Sequence, residues 1–282
     1  MQYKSDSEPK VSAIVPTYNR GYCISRALKS IEEQTRPVHE ILVVDDGSTD
    51  DTQKIISQKH PTVHIIRNPI NRGVSNARNL GISNATGSHL AFLDSDDTWH
   101  PEKIERQLHF CRQKPRTTIN HCDEIWIKNG KRFNQKLYHQ KCGGDLFQRS
   151  LLRCMISPSA VMIKKTLLAK YGGFDEDLPA CEDYDLWLRI TSQESVGYID
   201  SPLVTKYGGH PDQLSKTTTA LDQYRIQAII KLIDQNNLTT AHLESARNIL
   251  KTKLEIYLKG AIRRGNTQDI SHYKYIRHQY TE

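Results

Sequence analysis

The sequence predicts an α/β protein: a mostly parallel, Rossmann-like sheet flanked by helices and followed by a C-terminal helical tail. Three observations carry this. Short apolar runs alternate with helical patterns four times in the first hundred residues, the signature of a parallel sheet covered on both faces. Each of these apolar runs ends in polar, turn-forming residues. From about Thr219 onward the pattern is largely helical.

The elements follow in order. Val11 to Val15 is apolar and stops at Pro16. Tyr22 to Glu33 reads as a helix with Ile24, Ala27, Leu28 and Ile31 on one face. Glu40 to Val44 is a second buried strand, and Ser48 or Thr49 is placed to cap a helix running to about Lys59. Val63 to Ile66, Gly73 to Asn84 and His89 to Leu93 supply a strand, a helix and a fourth strand. Beyond Pro101 a helix extends to about Gln113, and residues 117 to 138 read as strands turning at Asn129-Gly130. Ser159 to Ile163 is a further strand. Glu182 to Thr191, Tyr224 to Ile233 and His242 to Arg264 are helices.

Composition narrows the class. With 37% hydrophobic and 25% charged residues the chain is ordinary for a globular protein, and no apolar run approaches the roughly 20 residues that span a bilayer. Met1 to Lys10 is polar, without the apolar centre of a secretory signal. The six cysteines are scattered and form no CxxC pair, as expected of reduced thiols in the cytosol. The net charge of +7 is spread along the chain with no block of five basic residues, which argues against nucleic acid as a partner.

Ligands in sheets of this kind bind beyond the carboxyl ends of the strands. Pro16-Thr17-Tyr18, Asp45-Asp46 and Asp94-Ser95-Asp96-Asp97 all lie at such ends, so the fold gathers them into one crevice. Three carboxylates within four residues repel unless donors or a cation neutralise them, and Mg²⁺ or Mn²⁺ shares such oxygens with substrate phosphates. The competing reading is a solvated acidic turn. Asp46 can accept from a base or a ribose hydroxyl, beside residues that cap a helix. Arg72 and Arg78 open a helix, where they pair with phosphate or form salt bridges. Glu182-Asp183 starts an amphipathic helix whose inner face includes Leu186 and Leu188. Helix capping and a general base fit it equally. Trp187 and Glu182 are candidates on the acceptor side. His210 follows Tyr207-Gly208-Gly209 and is a candidate metal ligand.

Val11-Ser12-Ala13-Ile14-Val15-Pro16-Thr17-Tyr18-Asn19-Arg20, Val43 to Asp50, Asn71-x-Gly73, Ala77-Arg78-Asn79 and Leu93 to Asp97 together strongly resemble the family 2 glycosyltransferases of GT-A fold. The match runs from residue 11 to about 110 and continues more weakly through Gly172 to Glu176 and Glu182 to Arg189. The last fifty or so residues carry no motif of the family. The resemblance implies inverting transfer of a sugar from a nucleotide-diphosphate donor, by default a UDP-sugar, to an acceptor hydroxyl. It implies that Pro16, Thr17, Tyr18 and Asp46 hold base and ribose, and that Arg78, Asp94 and Ser95 lie on the nucleotide-sugar side. Asp96 falls on the metal-ligand position, Asp183 on that of the catalytic base, and His210 where some members place a late metal ligand. The chain then divides into a polar extension (1–10), a nucleotide-sugar-binding half (11–115), an acceptor-binding and catalytic-base half (116–216) and a helical tail (217–282).

The partners implied are the donor, a divalent cation, and a saccharide or lipid-linked acceptor of polysaccharide, lipopolysaccharide or glycoconjugate synthesis. A cytoplasmic protein is expected, at most peripheral on the inner membrane face. The tail helices are expected to pack on the body, with a homodimer or an anionic membrane contact through Arg263, Arg264, Tyr273, Lys274 and Tyr275 as alternatives. Asp94-Ser95-Asp96-Asp97-Thr98 also fits the D-x-D-x-T motif of haloacid-dehalogenase-type phosphatases, but three strand–helix units precede it here. A pyrophosphorylase is disfavoured because Pro16 to Tyr22 lacks a glycine- and arginine-rich loop. A catalytically inactive sugar-nucleotide-binding module is the non-enzymatic alternative.

Overall fold

The computed structural model describes residues 8–209 and 221–281. Within them the order is β1 (Val11–Thr17), α1 (Ile24–Glu32), β2 (Glu40–Asp45), α2 (Thr52–Lys59), β3 (His64–Arg67), α3 (Val74–Asn84), β4 (His89–Phe92), β5 (Thr98–Trp99) and α4 (Lys103–Gln113). There follow β6 (Ile119–Lys128), β7 (Lys131–Phe133), α5 (Phe147–Leu152), β8 (Val161–Lys164), α6 (Lys165–Tyr171), α7 (Glu182–Thr191) and β9 (Gly197–Gly208). Three helices close the chain: α8 (Asp222–Asp234), α9 (Thr240–Arg263) and α10 (Thr267–Thr281).

One sheet runs in the order β3-β2-β1-β4-β8-β6-β9-β5, with β7 hairpinned onto β6. The first four strands are parallel, while β8 is antiparallel to both β4 and β6. Alternation along β1 divides the core: Val11, Ala13 and Val15 pack with α1, α2 and α4, whereas Ile14 faces the opposite layer of α6 and α7. A third cluster joins α5 and α7 to the C-terminal helices. The tail therefore packs on the body. Tyr273, read as a membrane-facing candidate, is 5% exposed and lies against Tyr257. No described helix is long and apolar enough to cross a membrane. All six cysteines are free.

Several local readings change. β1 continues through Pro16 to Thr17. The Ile14 carbonyl accepts from Leu93 on the β4 side, so alternation turns the Pro16 nitrogen to that side too. There the β1–β4 register has ended at Ile14, and the missing N–H interrupts no pairing. Ser48 and Thr49 do not cap α2: Ser48 Oγ accepts from Asn19 N, and the Thr49 amide donates to Asn19 Oδ1. The N-cap is Asp51, whose side chain makes no capping bond; Asp50 Oδ1 accepts from the Thr52 amide at 3.0 Å. Gly47 sits at φ 77°, and a Cβ there would lie 2.7 Å from the Ile70 carbonyl carbon. Only glycine therefore lets the loop after β2 lie on residues 70–71. The expected boundary at 216/217 lies outside the described residues.

Candidate active site

The carboxyl ends of β2, β1 and β4 lie side by side in the sheet. At the end of β1, Pro16 and Thr17 are buried and Tyr18 is 42% exposed. Thr17 Oγ1 is buried with no hydrogen-bond partner, a polar group left for a ligand to satisfy. At the end of β2, Asp45 accepts from the Ser48 amide and from Gln53 and so fixes its own turn. Asp46, expected to face a base or ribose, turns its carboxylate inward. It accepts from Asn68 Nδ2 at 2.7 Å, from the Arg72 amide at 3.0 Å and from the Gly73 amide at 2.8 Å. Three donors converging on its two oxygens make Asp46 the clamp of the loop leading into α3.

The acidic turn after β4 is sorted by its partners. Asp94 Oδ1 accepts from Arg78 Nη2 at 2.8 Å, and its Oδ2 lies 3.8 Å from Lys206 Nζ. Burial would raise its pKa, but these two cations override burial and hold it below the ordinary carboxylate range. Asp97 is buried, accepting from Ser159 Oγ at 2.7 Å and from the Tyr207 amide at 3.1 Å, with Lys206 Nζ at 3.0 Å. Burial and the neighbouring carboxylates nevertheless push it up to about 7 against the pull of Lys206. Asp97 thus ties the turn to β9. Ser95 is buried, and its carbonyl accepts the Cys23 thiol. Asp96 differs from its neighbours: its carbonyl accepts from Arg26, but no hydrogen bond or ion pair from another described residue reaches its carboxylate. Burial and the charge of Asp94 raise its pKa. Lys206 and Arg20 pull against that rise without an ion pair to the carboxylate, and a part-buried carboxylate of this kind fits a divalent cation, which takes its remaining oxygens from phosphate and water. Among the described residues no group of three or more His, Cys, Asp or Glu side chains is arranged around a cation. His210 lies outside them.

Two expectations are corrected. Arg78 does not present its guanidinium to a nucleotide. It is 4% exposed, with Nη1 on Glu182 Oε1 at 2.6 Å, Nη2 on Asp94 and the Phe174 ring 4.9 Å away. It reaches the site through Asp94. Trp187 is no acceptor-side residue: it is 1% exposed, packed edge-on against Phe174 in the core. The cause is that α7 is covered on both sides. Leu186 and Trp187 join the sheet-facing cluster, while Tyr184 and Leu188 pack against the C-terminal helices. Glu182 is likewise occupied, by Arg78.

Asp183 alone in α7 is not buried. Its Oδ1 accepts from the Tyr184 amide at 2.7 Å, and its Oδ2 accepts the Cys154 thiol at 3.2 Å. Burial and the Asp183 charge keep that thiol protonated, well above its ordinary pKa. Arg78 binds Glu182, the residue before Asp183, and Asp94 of the acidic turn. It thereby brings residues 94–97 and 182–183 to one place. Sequence reasoning missed Lys206, Ser159 and Cys154. Each acts through register or packing, and no motif marks them.

Against this geometry stand the relatives. The Glycosyl transferase family 2 model matches residues 12–172. An uncharacterized glycosyltransferase of Rickettsia conorii is 36% identical over 199 residues, 70% of this chain but 32% of its own, so the chain spans about a third of that relative. WfgD of Escherichia coli, named a UDP-Glc:alpha-D-GlcNAc-diphosphoundecaprenol beta-1,3-glucosyltransferase, is 30% identical over 217 residues, covering 76% of this chain and 81% of its own. S. aureus TarS 1-349, solved in complex with UDP-GlcNAc, superposes with a TM-score of 0.71 at 22% identity over 87% of this chain and 71% of that one; the likeness is one of fold. With the family model matching more than half of its length, the chain belongs to glycosyl transferase family 2.

Proposed function

We propose that the protein transfers a sugar from a UDP-sugar to an acceptor hydroxyl with inversion, assisted by a divalent cation, in the synthesis of a cell-envelope polysaccharide or glycoconjugate. The observation that carries this reading is the Arg78 bridge, which joins strand-end Asp94 to Glu182 beside Asp183. This bridge supports a reading in which donor and base candidates act together. The UDP-sugar named for WfgD and the UDP-GlcNAc bound to TarS support the donor class, and the lipid-linked acceptor named for WfgD supports an envelope pathway.

In this reading the nucleotide lies over the ends of β1 and β2, where Thr17 Oγ1 awaits a partner and Tyr18 offers an exposed ring. Asp46 keeps the 68–73 loop in place beneath it. Asp96 would hold the cation, which supplies Lewis-acid stabilisation to the leaving diphosphate. Asp183 takes the proton from the acceptor hydroxyl. The oxygen attacks the anomeric carbon, and the bond to the diphosphate breaks with its electron pair on the phosphate oxygen. The Tyr184 amide and the Cys154 thiol fix the carboxylate for that proton transfer.

Titration of UDP-glucose and UDP-GlcNAc by calorimetry, with and without Mn²⁺, tests the donor side, followed by transfer assays on saccharide and lipid-linked acceptors. Asp183→Asn is expected to abolish transfer, a loss of at least about 10²-fold, with donor affinity retained. Asp96→Ala is expected to remove the Mn²⁺ dependence of donor binding. A folded Asp183→Asn protein that loses donor binding as well would refute the assignment of the base.

A further inference from the structure

The β6–β7 hairpin carries an aromatic, basic surface that the donor site does not use. Asn129 and Gly130 both have positive φ, the conformation a two-residue hairpin turn requires, so Trp126 pairs directly with Phe133. Their rings are parallel within 8°, with centroids 6.3 Å apart. His139 packs on Trp126 at 5.1 Å and Tyr138 on His139 at 4.3 Å, leaving Phe133 42% and Tyr138 49% exposed. From Ile125 to Gly144 the chain has Lys128, Lys131, Arg132, Lys136 and Lys141 and no carboxylate. Burial, followed by Arg153, Lys141 and Lys136 and against Glu124, lowers the His139 pKa; Glu124 itself accepts from Trp126 Nε1 and pairs with Lys141.

This surface is anchored to the crevice at both ends. Trp126 is the register partner of Lys206, whose ammonium holds Asp94 and Asp97. The Tyr138 carbonyl accepts from Arg153, whose guanidinium lies 4.4 Å from the Tyr138 ring centroid. Arg153 precedes Cys154, the thiol on Asp183. A pyranose ring has a C–H-lined apolar face suited to the π face of an exposed aromatic ring, and phosphate suits the surrounding cations.

Building on the glycosyl-transfer reading, we propose that Trp126, Phe133 and Tyr138, with Lys128, Lys131 and Lys136, form the acceptor platform, and that the acceptor is a phosphate-bearing saccharide. The sugar stacks on the rings and its phosphate meets the hairpin cations. Sugar phosphate free in solution and sugar phosphate on a lipid share this chemistry.

Saturation-transfer NMR on the full chain tests it, using glucose 1-phosphate, glucose and inorganic phosphate as probes, alongside co-sedimentation with phosphatidylglycerol vesicles. Glucose 1-phosphate is expected to bind more tightly than glucose or phosphate alone. Trp126→Ala/Phe133→Ala and Lys128→Glu/Lys131→Glu/Lys136→Glu should each weaken it about tenfold, with UDP affinity within about twofold of wild type. The charge-reversed positions are exposed, so that variant reads the site even if the aromatic one fails to fold. Three results overturn the proposal: equal binding of glucose 1-phosphate by wild type and both variants, inorganic phosphate binding as well as the sugar phosphate, or vesicle binding without glucose 1-phosphate binding. Loss of UDP binding by the wild type would instead refute the glycosyl-transfer reading. A lipid-anchored source is distinguished by vesicle binding that glucose 1-phosphate displaces.

Discussion

Arg78→Met removes the one cation shared by Asp94 and Glu182 while retaining much of the side-chain volume. Burial alone would lower the arginine pKa, but the two carboxylates more than offset that and hold it above its ordinary value. The Glu182 side chain is 7% exposed and that of Asp94 26%. Glu182 would thus be left buried without its cation, whereas Asp94 retains Lys206 at 3.8 Å and some water. At an effective dielectric constant of about 20 and a charge separation of about 4 Å, one such pair is worth about 4 kcal/mol. Mutational experience with broken buried pairs gives about 3–5 kcal/mol. The variant is therefore expected to lose about 4 kcal/mol in urea unfolding followed by circular dichroism. Adding Glu182→Gln should recover about 2 kcal/mol of that loss, because the stranded charge is then gone. A loss below about 1 kcal/mol, or additivity of the two substitutions, would refute the claim that this bridge joins the acidic turn to the start of α7.

Two further outcomes follow from buried groups. His121 is fully buried, its Nε2 donates to the Cys142 carbonyl at 2.8 Å, and burial followed by Lys141 lowers its pKa to about 4. Between an unfolded value of about 6.5 and this one, the unfolded state binds the proton and the folded state does not. Stability is complete above about pH 6.5 and falls as pH drops toward 4. From about pH 7.5 to 5 the wild type should lose about 2 kcal/mol more than His121→Leu in urea unfolding, and equal losses would contradict this. Cys154→Ala removes a donor from Asp183 and should slow transfer about tenfold with UDP affinity unchanged, while Cys154→Ser restores the rate. Transfer by Cys154→Ala at the wild-type rate would count against a positioning role for the thiol.

The first half of the fold was legible because β1, β2 and β4 are buried on both faces and read as continuous apolar runs, with Asp45-Asp46 and Gly87 as punctuation. β9 was not. Its burial does not alternate, and its register against β6 shifts at Asp123, so neither period nor propensity marks it. That loss mattered, since β9 brings in Lys206. At the site, position along the chain was legible and direction was not. Asp94, Asp96 and Asp97 are one motif in sequence, yet only the fold separates Asp94 and Asp97, which are ion-paired, from Asp96, whose carboxylate takes no direct bond from another described residue. Arg78 and Trp187 were misread for one reason. A spacing rule places a side chain on an element's face, but what covers that face is set by elements a hundred residues away.

The helical tail shows this most clearly, for it carries no motif of the family and still shapes the site. α7 begins at Cys181, held in the left-handed region at φ 63°, with its thiol on the Leu221 carbonyl. Its outer face, Tyr184 and Leu188, is covered by α8 and α9. Lys231 of α8 binds Asp185 at 2.8 Å and Asp175 at 2.6 Å, tying α7 and the loop before it to α8. A non-glycine residue in that backbone region is costly and persists only where its surroundings over-determine it. The C-terminal helices supply that over-determination from outside, and Arg78 supplies it from the sheet side. Asp183 sits between these two restraints, so the direction of the one part-buried carboxylate of α7 is set by residues far from it on either side in the chain.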